Sequence, residues 1–250
     1  MTDASPTTAP NTAMVLAAGL GTRIRPLAED VPKPLIKVAG KALIDYALDR
    51  FAAAGVTKAV VNVHYLADAM EQHLHARTAP EVIISDERGL LLETGGGLKK
   101  ARPHFGDRAI FCTNTDAILL DADGAEACAT LTRHWDSERM DALLLLVPIG
   151  KTSGYDGKGD FDQSADGRIA LRQSEHAPFV FTGLQIISPA LIDEGPDGAF
   201  STKLLWDRAK TRGRLFGAVH QGAWMHVGDP AGHAAAEARL AEARLKASAG

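Results

Sequence analysis

Apolar positions along the chain fall into two textures. Over the first 147 residues, short apolar runs alternate with stretches at helical spacing. Residues 13–18 form an apolar run that stops at Gly19, which reads as a buried strand ending in a turn. Residues 43–54 carry apolar side chains at helical spacing with Gly55 behind them, and residues 59–63 read as the next buried strand. The alternation predicts a helix over 66–75, a strand over 82–85, a helix after Gly97, a strand over 109–113, a helix over 124–135 and a strand over 142–147. Such a succession argues an α/β fold, Rossmann-like, with a mostly parallel mixed sheet flanked by helices. After Pro148, Gly-rich turns separate short runs at 159–162, 168–172 and 179–188, which predict a small antiparallel part. A helix over 202–211, strands over 214–220 and 223–227, and an Ala-rich helix from 231 toward 246 complete the pattern. With neither repeat nor linker, residues 13–250 are expected to form one domain behind a flexible tail at 1–12.

At 250 residues and 46% hydrophobic content, the chain can close a large core. The formal net charge of −4 provides no cationic field for a nucleic acid or an anionic membrane, so an anionic ligand needs a local site. The longest apolar run falls far short of the roughly 18 residues that read as a membrane span. The first residues lack the basic start and apolar stretch of a signal peptide, and Cys112 and Cys128 form neither a disulfide framework nor a metal spacing. These features lead to the expectation of a cytoplasmic protein.

The candidate chemistry begins directly after the first strand, at Gly19-Leu-Gly21-Thr22-Arg23-Ile24-Arg25-Pro26. The C-terminal ends of parallel strands form the usual ligand crevice. Two glycines let backbone amides approach a phosphate, and Arg23 can grip phosphate oxygens bidentately. Lys33, between Pro32 and Pro34, adds a point charge on a stiffened backbone. The loop is not a dinucleotide fingerprint, because Ile24 stands where the third glycine would be, and it lacks the G-K-[ST] of a Walker A loop.

The segments Leu16-Ala-Ala-Gly-Leu-Gly-Thr-Arg23, Arg25-Pro-Leu27, Pro32-Lys-Pro-Leu35 and Val38-Ala-Gly-Lys-Ala-Leu-Ile44 closely resemble the signature of the sugar-1-phosphate nucleotidyltransferases. Leu92-Glu-Thr-Gly-Gly-Gly97, Thr113-Asn-Thr-Asp116, Phe181-Thr-Gly183 and Trp224-Met-His-Val-Gly228 follow in family order. Within that family, the glycine triplet, the compact Gly159-Asp-Phe161 and the short C-terminal end are most similar to bacterial N-acetylmuramate-1-phosphate uridylyltransferases. The resemblance implies the nucleotide-diphospho-sugar transferase, GT-A-like version of the fold. It implies attack by a sugar 1-phosphate on the α-phosphorus of a nucleoside triphosphate, UTP first among them, in a step of peptidoglycan recycling.

Neither a covalent intermediate nor a general base is needed for that chemistry, so cations should do the catalytic work. By resemblance, Arg23 would hold the departing β- and γ-phosphates and Lys33 would neutralise charge near the α-phosphate. Leu16, Ala17, Ala18, Gly19, Gly21, Thr22, Thr94 and Gly95 would contact the nucleotide, with the glycine triplet open against the base. Gly159, Glu175, Thr182 and Gly183 would contact the sugar phosphate. Mg²⁺ is the implied cofactor, with Asp116 as a ligand. The family's second ligand is commonly an Asp two residues after a Trp, where this chain has His226, which leaves that position to water, to substrate phosphate, or to His226 with a softer metal such as Mn²⁺ or Co²⁺. Asp229 is expected to cap the last helix, with Pro230 in its first turn. Asn62 ends a strand on the crevice side, where it either borders the base or is structural. His73 and His75 read as exposed, and the Ala-rich helix as a surface helix or homo-oligomer contact. Two alternatives remain: the same chemistry with GTP and mannose or heptose 1-phosphate, dTTP and glucose 1-phosphate, or CTP and a smaller phosphate; or a non-catalytic nucleotide-sugar sensor.

Overall fold

The computed structural model describes residues 9–248 except Ala28, Asp123 and Ala125, so most of the expected tail lies outside the described residues. In chain order the elements are β1 (Thr12–Leu16), the two-residue strands β2 (Lys37–Val38) and β3 (Lys41–Ala42), α1 (Leu43–Ala53), β4 (Lys58–Val63), α2 (Ala67–His75), β5 (Glu81–Asp86), α3 (Glu93–Ala101), β6 (Ile110–Asn114), β7 (Ala117–Leu120) and α4 (Ala127–His134). The second half holds β8 (Ala142–Pro148), β9 (Thr152–Ser153), β10 (Phe161–Gln163), β11 (Ile169–Leu171), β12 (Phe179–Ile187), α5 (Pro189–Asp193), α6 (Lys203–Thr211), β13 (Leu215–Val219), β14 (Ala223–His226) and α7 (Pro230–Ser248).

Among the described residues, nine strands join in one mixed sheet. Its first half is parallel, in the order β5-β4-β1-β6, with Met14 registered against Val60 on one side and Cys112 on the other. These strands are near-continuous apolar runs because helices cover both faces; in β8 every residue from Ala142 to Val147 has no exposed surface. The long strand β12 then runs antiparallel to β6, β8 and β10, with β11 beyond β10, while β13 lies parallel to β8. The runs over 159–188 are antiparallel, as expected, and they prove to be an extension of the main sheet. A second, three-stranded sheet, β7-β14-β9, crosses the crevice end and brings His226 opposite Ala117. Helix α7 packs back on this chain through Ala236 and Leu240, and Asp229 Oδ1 accepts the Gly232 amide at 2.8 Å as its N-cap.

Helix α3 departs from the expectation. It begins at Glu93, five residues earlier than expected, so Gly95, Gly96 and Gly97 lie inside its first turns. Their helix penalty is offset by contact that no side chain would permit. A Cβ on Gly95 would come within 2.9 Å of the Phe200 carbonyl oxygen, one on Gly96 would collide with the Gly198 carbonyl, and one on Gly97 would meet Asn62 and Glu87. The triplet is therefore a packing seam that lets the segment before α6 lie against α3. It is not an open surface for a base.

Candidate functional site

The loop after β1 rises at the carboxyl end of the parallel strands, and its start is fixed from below. Asn62, the fifth residue of β4 and only 2% exposed, accepts the Ala17 amide on Oδ1 at 2.7 Å and donates from Nδ2 to Glu87 Oε1 at 2.8 Å. Glu87 is itself 1% exposed, and its other oxygen accepts the Leu92 amide at 3.2 Å. Asn62 and Glu87 thus tie the start of the loop to the segment that leads into α3. Beyond Ala17, the amides of Ala18, Gly19, Gly21 and Thr22 donate to no acceptor among the described residues. A run of unpaired amides of this kind is a concavity for anions. Gly21 has φ +61°, and a Cβ there would lie 2.9 Å from the Lys33 Cβ, so only glycine brings the loop this close to Lys33.

A cavity of about 470 Å³ lies over this loop. Leu16, Ala17, Ala18, Gly19, Gly21, Thr22, Arg23, Lys33, Thr94 and Asp116 all line it, so ten of the expected positions converge on one space. Gly95 does not: its amide donates to the Phe200 carbonyl at 2.8 Å, inside the packing seam. Leu91, Glu93 and Thr94 form the wall where the triplet was expected, and Glu93 holds φ +58°, a strained conformation for a residue with a side chain.

Lys33 and Asp116 form the centre of this cavity's charge. The Lys33 ammonium lies 3.0 Å from Asp116 Oδ2, with the two side chains 13% and 30% exposed. Desolvation alone would raise the Asp116 pKa, but the neighbouring His226 ring and Lys33 charge hold its carboxyl well below the usual carboxylate range. His226 Nε2 stands 3.7 Å from the same oxygen, because the β7–β14 register and the Val227 amide on the Asp116 carbonyl bring the two together. The imidazole stacks on Trp224 at 5.7 Å.

Beside Lys33 and His226 a divalent cation would find one carboxylate, Asp116, with Glu93 the cavity's other acidic lining residue. Among the described residues, no group of three or more His, Cys, Asp or Glu side chains is arranged to hold a metal. Asp229 is occupied as a helix cap. This donor set fits Mg²⁺ delivered with substrate phosphates, which needs only one or two protein carboxylates, and does not fit a resident all-protein site.

A second cavity, of about 520 Å³, shares Leu16, Thr94 and Asn114 with the first. Gly159 lines it, with φ +81° and the Ala177 carbonyl against its Cα. Gly183, at φ +92°, packs behind Asn114. The other two expected sugar-contact positions fall elsewhere. Thr182 is 2% exposed and turned to the opposite face of the bulged β12, where its hydroxyl donates to the Leu145 carbonyl at 2.9 Å. Glu175 is 75% exposed and pairs with Lys158 on the surface. The cavity's polar groups are instead Asp160, Arg172, Gln185, Ser201, Thr202 and Lys203, over a floor that includes Phe181 and Trp206 in edge contact at 5.0 Å. Only Asp160 carried a signal in the sequence, as the middle residue of Gly159-Asp-Phe161.

No helix among the described residues is long and apolar enough to cross a membrane. An N-acetylmuramate α-1-phosphate uridylyltransferase from Caulobacter vibrioides is 51% identical over 240 residues, 94% of this chain and 99% of that protein. One from Neisseria meningitidis is 34% identical, over 86% of this chain and 92% of that protein. Among solved structures, the inositol-1-phosphate CTP transferase from T. maritima has the same fold, with a TM-score of 0.73 at 18% identity over 90% of this chain and 92% of that one. Residues 12–169 match the family model described as nucleotidyl transferase, and the chain belongs to that family.

Proposed function

We propose that this protein transfers the uridylyl group of UTP to N-acetylmuramate 1-phosphate, giving UDP-N-acetylmuramate and pyrophosphate. The observation that carries this reading is the 51% identity to the Caulobacter enzyme across nearly the whole of both chains. The paired cavities support it, since a triphosphate in the first and a sugar phosphate in the second would meet at their shared wall.

In this mechanism an oxygen of the sugar phosphate attacks the α-phosphorus as the bond to the α,β-bridging oxygen breaks, and the electron pair leaves with pyrophosphate. The attacking oxygen is already anionic, so no proton need be removed. Ala18, Gly19, Gly21 and Thr22 direct unpaired amides at the triphosphate, and Arg23 compensates the charge that grows on the departing pyrophosphate. Lys33 stands between the two phosphates and offsets their repulsion. Leu91–Thr94 would border the base. Mg²⁺, carried by the triphosphate and held by Asp116, would further neutralise phosphate charge, and His226 is the remaining nearby donor. The product would return muramate to cell-wall synthesis, in the cytoplasm.

The test is a matrix of UTP, GTP, dTTP and CTP against sugar 1-phosphates, with Mg²⁺, Mn²⁺ or Co²⁺, read as pyrophosphate release. UTP with N-acetylmuramate 1-phosphate should give the highest kcat/KM. No turnover of UTP with any amino-sugar phosphate refutes the reading. Binding without turnover under every metal would instead favour a nucleotide-sugar sensor, the reading to which His226 beside Asp116 lends support.

A further inference from the structure

The second cavity carries more positive charge than a sugar ring requires. Its wall holds one carboxylate, Asp160, against two cations, Arg172 and Lys203. Asp160 is already engaged, accepting the Phe181 amide at 3.0 Å and the Tyr155 hydroxyl at 3.4 Å. The Arg172 guanidinium donates only to backbone carbonyls, those of Gly159, Ser174 and Glu175, and no carboxylate pairs with it among the described residues. The Lys203 ammonium has neither a hydrogen bond nor an ion pair among those residues.

Lys203 opens α6, and the residue before it provides a second, independent observation. Thr202 lines the cavity at 4% exposure, and its hydroxyl has no hydrogen-bond partner. Its own amide is tied down by Thr94 Oγ1 at 2.9 Å, so the residue is fixed in place. A buried hydroxyl left without a partner in a polar cavity wall marks a ligand position. Ammonium, hydroxyl and a helix start within two consecutive residues favour an anion.

The anomeric phosphate is not that anion. It must reach the α-phosphorus and therefore lies at the shared wall near Asn114 and Lys33, whereas Arg172 and Lys203 line only the second cavity. We propose that Thr202 and Lys203, with Arg172 of the same cavity, form a carboxylate subsite that selects a hexose 1-phosphate bearing a carboxylate substituent over its neutral counterpart. The inference rests on the functional reading above, because the lactyl ether of N-acetylmuramate supplies such a carboxylate and N-acetylglucosamine lacks it.

The experiment compares kcat/KM, with saturating UTP, for N-acetylmuramate 1-phosphate and N-acetylglucosamine 1-phosphate in the wild type, Lys203→Met, Lys203→Arg and Thr202→Val. The wild-type preference for the muramate substrate should fall at least tenfold in Lys203→Met, mainly through KM, and be largely retained in Lys203→Arg. Thr202→Val should lower the preference while leaving the urea midpoint unchanged or raised, since the hydroxyl makes no bond in the free protein. If both substrates lose equally, the cations hold the phosphate and the subsite is refuted; an unchanged ratio refutes it too. A wild-type enzyme inactive on N-acetylmuramate 1-phosphate overturns the functional reading itself. An active wild type with unaltered ratios in the variants overturns the subsite alone.

Discussion

Asn62→Ala tests whether the phosphate loop is held from beneath. The substitution strands two buried groups, the Ala17 amide and Glu87 Oε1, in a place where Asn62 and Glu87 are 2% and 1% exposed. An unsatisfied buried amide costs about 1–3 kcal/mol and a hydrogen bond to a charged group about 1.5–3 kcal/mol, so the sum is about 2.5–6 kcal/mol. That is a large share of the roughly 5–15 kcal/mol that holds a domain together. Urea unfolding should show the loss, and KM for UTP should rise because Ala17 starts the loop. A double-mutant cycle separates the contact from general damage. Asn62→Asp keeps the acceptor for Ala17 but sets a second carboxylate against Glu87, and Glu87→Gln on that background offers an amide donor in place of the repulsion. The pair should recover at least 1 kcal/mol relative to additivity, within the usual range for directly bonded residues of about 0.5–3 kcal/mol. A shift below 1 kcal/mol for Asn62→Ala with an unaltered KM refutes the reasoning, as does an additive cycle.

Gly96→Ala gains up to about 1 kcal/mol of helix propensity but drives a methyl group into the Gly198 carbonyl; overpacking of about 1–3 kcal/mol should prevail. Its urea midpoint should fall below that of Gly106→Ala, where no atom lies within 4 Å of the new Cβ. Arg23→Ala, at an exposed position, should keep the wild-type melting temperature while kcat/KM for pyrophosphate release drops on the order of 100-fold. Lys33→Ala should lose at least as much, chiefly in kcat. Burial pushes the Cys112 and Cys128 thiols up to about 12, so roughly one in 10⁴ is thiolate at pH 8, and iodoacetamide should label neither until urea unfolds the chain.

The parallel half of the fold was legible because its strands are buried on both faces and read as continuous apolar runs ended by glycine. Strand β7 escaped because it starts three residues after β6 ends, with no turn residue beyond Asp116 to announce it. The α3 boundary was misplaced for a physical reason: three glycines weaken an isolated helix, and only the carbonyls of Gly198 and Phe200, a hundred residues away, make them favourable. The first cavity was legible because more than half of its lining comes from two short segments, residues 16–23 and 33–34, each contiguous in sequence and chemically distinctive. The second was not. Arg172 and Lys203 are ordinary surface cations until β10, β11 and α6 converge on one space, whereas Glu175, the more conspicuous carboxylate, ends on the surface beside Lys158.

Charge within the first cavity decides what its cations are for. Arg23, Lys33, Glu93 and Asp116 line it, two of each sign, and Lys33 is already paired with Asp116. A pocket balanced in this way does not attract a triphosphate through net charge, and the chain's overall −4 opposes it. Under the proposed function selection would come from directed donors, the unpaired amides of Ala18, Gly19, Gly21 and Thr22, which would recognise phosphate oxygens by position with no reorganisation when the ligand arrives. Under the proposed function Arg23 and Lys33 would then act on the charge that moves during the reaction, so their removal should depress turnover more than binding. The same logic makes Asn62 consequential although it carries no charge: it fixes the residue from which those amides are aimed.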